Sequence, residues 1–569
     1  MRSVQFNFSL FPQRAVGRLS LRSRAILLLF GLTILLINLG AGRVLTRHEV
    51  FAAEPGREMI HFGTLSSWML PMLAGVPRTA KPPGMMWLIA ASIYIFRDTS
   101  AWVARLPSAL AAMWVALMIA RLTARWFGDR LGRIAGLVQL TSVYTLLQAK
   151  LAEADMCLVA AVCLAMCSFA VSVIDSPAGL DERRGTRLKF WLAAGAAFLL
   201  KGPIGLIFIL LTIAAFAWAR RRGPDGRRDG RVLRFLADPL GIACFLIMLI
   251  VWPLLAWRLD PTIVQSWVSE MAGSATGRWE TDPIYYYVFA VPIMLLPWLP
   301  LTIIGIRRGP NAELAGAVVS QSDRAMLWRF LFCWFIPGIL FLTFCMRMKH
   351  HHYSMPILVP LSIPTALGLD YFVRRQTSRP QLQIWPFILA GGVIAILLVG
   401  GLHPIRQPLK SPLEKLFAIL TLGALISLRY ERLRRPNMVL ASYFLTAWAV
   451  AIGVQSWIMP VQDDYKFQTD FARAVNGSVP PGATIYMLGH REEEQEAQYA
   501  YYLRFPMQRL NSAEDFLARR QDDQPLFAIA PAGFLPEIAA GKIQVLSECT
   551  GLRPKETEAD RLCLIRVGI

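Results

Sequence analysis

The feature that most constrains this chain is a succession of apolar runs long enough, or nearly long enough, to cross a bilayer, which takes roughly 17–25 residues. They fall at 24–41, 102–120, 132–149, 155–174, 188–200, 203–219, 237–257, 285–306, 327–346, 354–373, 385–402, 413–428 and 438–458. A chain built this way folds as a polytopic α-helical membrane protein of about 13 spans. Composition agrees, since only 17% of residues are charged, against about a quarter in soluble proteins.

A net charge of +21 raises the question of nucleic acid, because clustered Lys and Arg mark phosphate binding. Position argues against it. From Asp463 onward there are 16 acidic and 12 basic residues, so the excess lies in the first 462, between apolar runs. Basic residues in that setting report orientation. With residues 1–23 in the cytoplasm, the inner loops 121–131, 175–187, 220–236, 307–326, 374–384 and 429–437 are the arginine-rich ones. That assignment requires 82–96 to lie along the interface, because counting it as a span would put every later arginine cluster outside. The membrane part is then 24–459, with a long outer loop at 42–101 and an extracytoplasmic tail at 460–569.

The tail reads as a small α/β domain. An amphipathic helix near 465–476 precedes Pro480-Pro481-Gly482, and strand-like runs at 484–488, 526–530, 543–547 and 562–567 alternate with a helical pattern at 512–520. Cys549 and Cys563 would lie in an oxidising compartment, where a disulfide can form.

Nearly every chemically suggestive residue falls on the outer face. Glu49 follows the first span, where a lone carboxylate is ordinarily a solvated helix end; Asp155 leads into the fourth span, where capping is the plain alternative. Two carboxylates on one face suggest acid/base work. Arg57, Lys81, Lys201 at the Lys201-Gly202-Pro203 break, and Lys349 gather on the same face and suggest a pocket for an anionic headgroup. Glu270 lies in the 258–284 loop, and His352 and Tyr353 end the run begun by Lys349. Consecutive histidines on a helix cannot all face one ion, so no metal ligands are assigned, although a divalent metal at this face stays open.

The order of motifs resembles the GT-C membrane glycosyltransferases that use a polyprenyl-phosphate sugar, in the group containing the lipid A aminoarabinose transferase and the protein O-mannosyltransferases. The matching stretches run from Glu49 to Met59, Lys81 to Pro83, Arg105 to Pro107, and Lys201 to Pro203, with Asp155, Pro297-Trp298, and Lys349, His352, Tyr353 and Pro356 besides. They cover about 24–373 and fade beyond. One departure matters: many members carry Asp-Glu in the first loop, and this chain has His48-Glu49.

The resemblance implies an enzyme of the plasma (inner) membrane, with its site on the extracytoplasmic face. It would transfer a sugar from a polyprenyl-phosphate donor to a lipid, glycan or protein acceptor, by a single inverting displacement. Glu49 or Asp155 would serve as base, and Arg57, Lys81, Lys201 and Lys349, with Glu270, His352 and Tyr353, would bind substrate. No cofactor is assigned, with a divalent metal at the outer-face site left open. A transporter or flippase for a lipid-linked sugar is the alternative, because broken helices and charges near helix ends also mark substrate pathways.

Overall fold

The computed structural model describes residues 17–40, 45–73, 76–78, 81–174, 184–220, 230–276, 281–309, 321–374, 410–460, 466–489, 499–505, 507–510, 512–519, 524–538, 543–550 and 557–568. The expected span 385–402, the inner-loop arginines Arg183, Arg221, Arg222, Arg227, Arg228, Arg375 and Arg379, and Gly277, Arg278 and Trp279 lie outside the described residues.

Each of the other apolar runs is helical, and the chain is a multi-pass membrane protein. Among the described residues, seven helices are long and apolar enough to cross a membrane by themselves. Helices Tyr286–Met294 and Leu299–Arg308 are apolar enough only when taken together, and they are bent by 96° at the Pro297-Trp298 break, where the Leu296–Pro297 peptide is cis. Helices Arg184–Lys201 and Pro203–Ala219 meet at Gly202. Its φ of 66° suits glycine, and Pro203 takes the first helical turn, where no amide donor is needed. Helix Pro239–Leu259 keeps only 17% of its apolar window buried; Ile247, Ile250, Val251 and Leu254 stand exposed on it, as a lipid-facing helix requires.

The segment read as interfacial is the helix Gly84–Phe96. Thirteen residues at 1.5 Å each span about 20 Å, short of a hydrocarbon core of roughly 30 Å. It packs on helices Arg47–Phe62, Ala101–Phe127 and Arg184–Lys201.

Small residues set one close crossing. A Cβ added to Gly305 would lie 1.7 Å from the Pro364 carbonyl oxygen, and one added to Gly368 would lie 2.0 Å from that of Leu301. Helices Leu299–Arg308 and Ser362–Arg374 therefore touch backbone to backbone, and the Thr302 and Thr365 hydroxyls bond across them at 2.7 Å. Gly305→Ala is expected to cost about 1–3 kcal/mol by overpacking, read as a lower thermal unfolding midpoint in detergent. An unchanged midpoint would contradict this contact.

The tail forms a five-stranded sheet in the order Met507–Leu510, Ile485–Leu488, Leu526–Pro531, Leu562–Val567, Ile543–Glu548. The first three strands pair in parallel and the rest antiparallel. Four strands lie where the apolar patterning placed them. Met507–Leu510 escapes that reading because Met-Gln-Arg-Leu is short and half polar. Cys549 packs with Leu562 and Leu564 on one face and Cys563 with Ile565 and Val567 on the other, so the expected disulfide between them is not formed.

Charges sort to two ends of the helices. At one end Arg130 and Arg374 share Asp370, and Asp129 accepts from Ser20 and Ser23 beside Arg133. At the other end, Glu49, Lys150, Asp155 and Lys201 collect.

Candidate active site

The N-terminus of helix Arg47–Phe62 builds one wall. Thr46 caps it, and Glu49 in the first turn returns the bond, a reciprocal capping box that suits a carboxylate at the positive end of a helix. Glu49 is fully buried. Its Oε1 accepts from Arg105 Nε at 2.7 Å and from the Ala152 amide at 2.9 Å; its Oε2 accepts from the Thr46 amide at 2.8 Å and from Arg105 Nη2 at 3.1 Å. Burial alone would raise this carboxyl, but the Arg105 charge and these donors outweigh it and hold Glu49 below the usual carboxylate range. Arg105 also donates to the Leu39 carbonyl at 3.1 Å. Beside it, Lys150 donates to the Ile37 carbonyl at 2.7 Å, and burial with the Arg105 charge brings its pKa down to about 8.

A second cluster forms where three breaks meet. Asp155 sits in the first turn of helix Ala154–Val173 and pairs with Lys201 at 2.5 Å. The Lys201 ammonium stands 5.0 Å from the Tyr353 ring centre, at the 3-10 turn His351–Ser354. Lys81 and His352 lie within electrostatic reach of Asp155, and Glu270 within reach of Lys81 and Tyr353. Lys81 is open to solvent at the Lys-Pro-Pro turn. The protein around it, together with Lys201 and Arg78, holds its ammonium below the ordinary lysine value despite Glu270 and Asp155.

Lys81, Asp155, Lys201, Glu270, His352 and Tyr353 thus come together. Other candidates do not join them. Arg57 grips Glu54 through two bonds of 2.8 and 2.6 Å and reaches the carbonyls of Leu503 and Ala500 in the tail at 3.2 and 3.1 Å. It fastens the tail domain to helix Arg47–Phe62 rather than lining the cluster. Lys349 is buried and its ammonium donates to the Asp282 and Arg347 carbonyls at 3.3 and 3.4 Å, while its amide donates to the Asp282 carboxylate at 2.7 Å. That closes a loop and leaves no free cation. His48 is exposed one residue before Glu49, its ring 6.4 Å from Phe51. Among the described residues no group of three His, Cys, Asp or Glu side chains is placed to hold a metal ion.

Two residues at the site carried no distinguishing signal. Arg78, in Val-Pro-Arg-Thr, lies over the Phe51 ring at 3.7 Å and adds positive charge near Lys81. Glu153, two residues before Asp155, is half-buried within reach of Asp155, Glu49, Lys201 and Lys81. A Glu-x-Asp pair was visible, but only the fold shows that both side chains enter one cluster.

Chemically, a cluster of ammonium groups beside carboxylates suits a leaving phosphate, because preorganised cations stabilise the charge that builds on its oxygens.

A family model described as dolichyl-phosphate-mannose-protein mannosyltransferase matches residues 80–257. The chain is 26% identical over 358 residues to the undecaprenyl phosphate-alpha-4-amino-4-deoxy-L-arabinose arabinosyl transferase of Aeromonas salmonicida, covering 62% of this chain and 61% of that protein. It is 26% identical over 374 residues to the protein of the same name from Edwardsiella ictaluri, covering 63% and 62%. The match therefore spans about three-fifths of these relatives' length. In structure the chain is similar to the crystal structure of ArnT from Cupriavidus metallidurans bound to undecaprenyl phosphate, with a TM-score of 0.73, 18% identity and coverage of 95% of this chain and 97% of that one. The chain therefore shares the fold of that protein along nearly its whole length.

Proposed function

We propose that this is a GT-C fold housing a glycosyltransferase that moves a sugar from a polyprenyl-phosphate donor to a lipid, glycan or protein acceptor at the extracytoplasmic face of the plasma membrane. The observation that carries it is the Asp155–Lys201 pair with Lys81 and Arg78 beside it, in a fold shared with a protein crystallised on undecaprenyl phosphate. Breaking the glycosidic bond leaves a phosphate monoester. Lys81 and Lys201 receive its charge, Asp155 orients Lys201, and the Tyr353 ring stands beside that ammonium. Glu49 acts as a positioning residue, because its four donors tie helix Arg47–Phe62 to Arg105 and to the turn before Asp155.

The arginines support the sidedness of this reading. Arg130, Arg133 and Arg374 gather at the end opposite the cluster, and basic residues stay in the cytoplasm, which supports an extracytoplasmic site. The charges lie at one end and not at the midplane, where substrate sites of secondary transporters concentrate, so the site geometry favours transfer over transport.

Purified full-length protein supplied with an undecaprenyl-phosphate sugar and an extract of its host's membranes is expected to release free undecaprenyl phosphate only when the extract is present. Extract-independent release, or none with any undecaprenyl-phosphate sugar, would overturn this function.

A further inference from the structure

We propose that Glu153 accepts the proton of the acceptor hydroxyl in this transfer, an inference that rests on the glycosyltransferase reading above. Four carboxylates stand in or beside this cluster: Glu270 faces Lys81 and Tyr353, Glu153 lies within reach of both Asp155 and Lys201, and the other two are committed. Glu49 has four donors on its two oxygens, and Asp155 is held by Lys201 at 2.5 Å. Among the described residues the Glu153 carboxylate has neither a hydrogen-bond donor nor a salt-bridge partner. Its backbone is the N-cap of helix Ala154–Val173, at φ −119° and ψ 154°, yet its side chain makes no capping bond, so the helix does not consume it. The Ser108 hydroxyl fixes the Glu153 carbonyl at 3.2 Å, which anchors the backbone while leaving the carboxyl free.

The groups facing it are Asp155 and Glu49, both anionic, and Lys201 and Lys81, both cationic. Burial first, then the two neighbouring carboxylates, push the Glu153 carboxyl up to about 7 against the pull of the lysines. A base poised near the working pH is the effective one. His48, standing where the resembling family often has a carboxylate, is exposed on helix Arg47–Phe62.

In the step, the acceptor O–H bond breaks and its proton passes to a Glu153 carboxylate oxygen while the acceptor oxygen bonds to the anomeric carbon. The bond from that carbon to the phosphate oxygen breaks, and its electron pair leaves with the polyprenyl phosphate.

Glu153→Gln and Glu153→Asp in the full-length protein test this, with an undecaprenyl-phosphate sugar as donor and host membrane extract as acceptor. Glu153→Gln is expected to lower kcat by about 10²–10⁴-fold, the contribution typical of a positioned general base, with donor KM and thermal midpoint little changed. The wild-type rate is expected to rise as pH increases through about 7, because the base works deprotonated; Glu153→Gln is expected to lose this limb and Glu153→Asp to restore part of it. A wild-type rate in Glu153→Gln, or a lowered rate with the limb intact, overturns the proton role alone, and the first of these is also what a phosphate acceptor, which carries no proton to remove, would give. Absence of acceptor-dependent release by the wild type overturns both this inference and the function it rests on.

Discussion

Asp155→Asn and Lys201→Ala are each expected to cut acceptor-dependent release of undecaprenyl phosphate by about 10²–10³-fold, the 2.7–4 kcal/mol typical of losing one well-placed electrostatic contact in a dry site. The two side chains retain only 10% and 16% of their exposure, so neither is screened like a surface pair worth about 0–1 kcal/mol. Lys201→Ala removes a cation from the phosphate side directly. Asp155→Asn keeps the shape and the helix turn but releases Lys201 from its anchor, so the ammonium is present and no longer aimed. A purely structural ion pair behaves differently: breaking it costs stability while each folded molecule keeps its turnover. Turnover per folded molecule, measured beside the thermal unfolding midpoint in detergent, separates the two. Near-normal turnover in both variants would remove this pair from the site.

Helices were readable from sequence wherever bilayer length governed them, because the hydrocarbon core admits few ways to satisfy a backbone. The same held for punctuation: Lys201-Gly202-Pro203 and Pro297-Trp298 break their helices as proline and glycine chemistry requires. The residue types of the cluster were also legible, since Lys81, Asp155 and Lys201 each stand at a break on one face. Partners were not. Arg57 is a cation on the expected face, but its acceptors include Ala500 and Leu503, 443 and 446 residues away, and no local pattern distinguishes a guanidinium that fastens a domain from one that binds a phosphate. Lys349 has the same ambiguity, resolved by Asp282. Glu49 shows the limit most plainly. Its place in a first helical turn was visible, whereas the arginine that saturates it lies 56 residues on, in another helix.

That buried pair yields the second large effect. Arg105→Ala is expected to destabilise the fold by about 3–5 kcal/mol, the usual cost of leaving one partner of a buried ion pair uncompensated. Arg105 and Glu49 retain 4% and 0% side-chain exposure, so water cannot take the missing place, and the Leu39 carbonyl also loses its donor. Glu49→Gln is the milder change, because a neutral amide can still accept from Thr46 or Ala152. The double change Arg105→Met with Glu49→Leu is expected to recover much of the loss, since two apolar groups remove the stranded charge as well as the attraction. The pH dependence carries the same sign. Glu49 titrates below its ordinary 4.5 when folded, so its contribution is complete above that value and is lost as pH falls through the folded pKa. Acid should therefore lower the wild-type midpoint more steeply than that of the double variant. If Arg105→Ala unfolds at the wild-type temperature, the helix that carries Glu49 is not held by this pair, and the positioning role given to Glu49 falls with it.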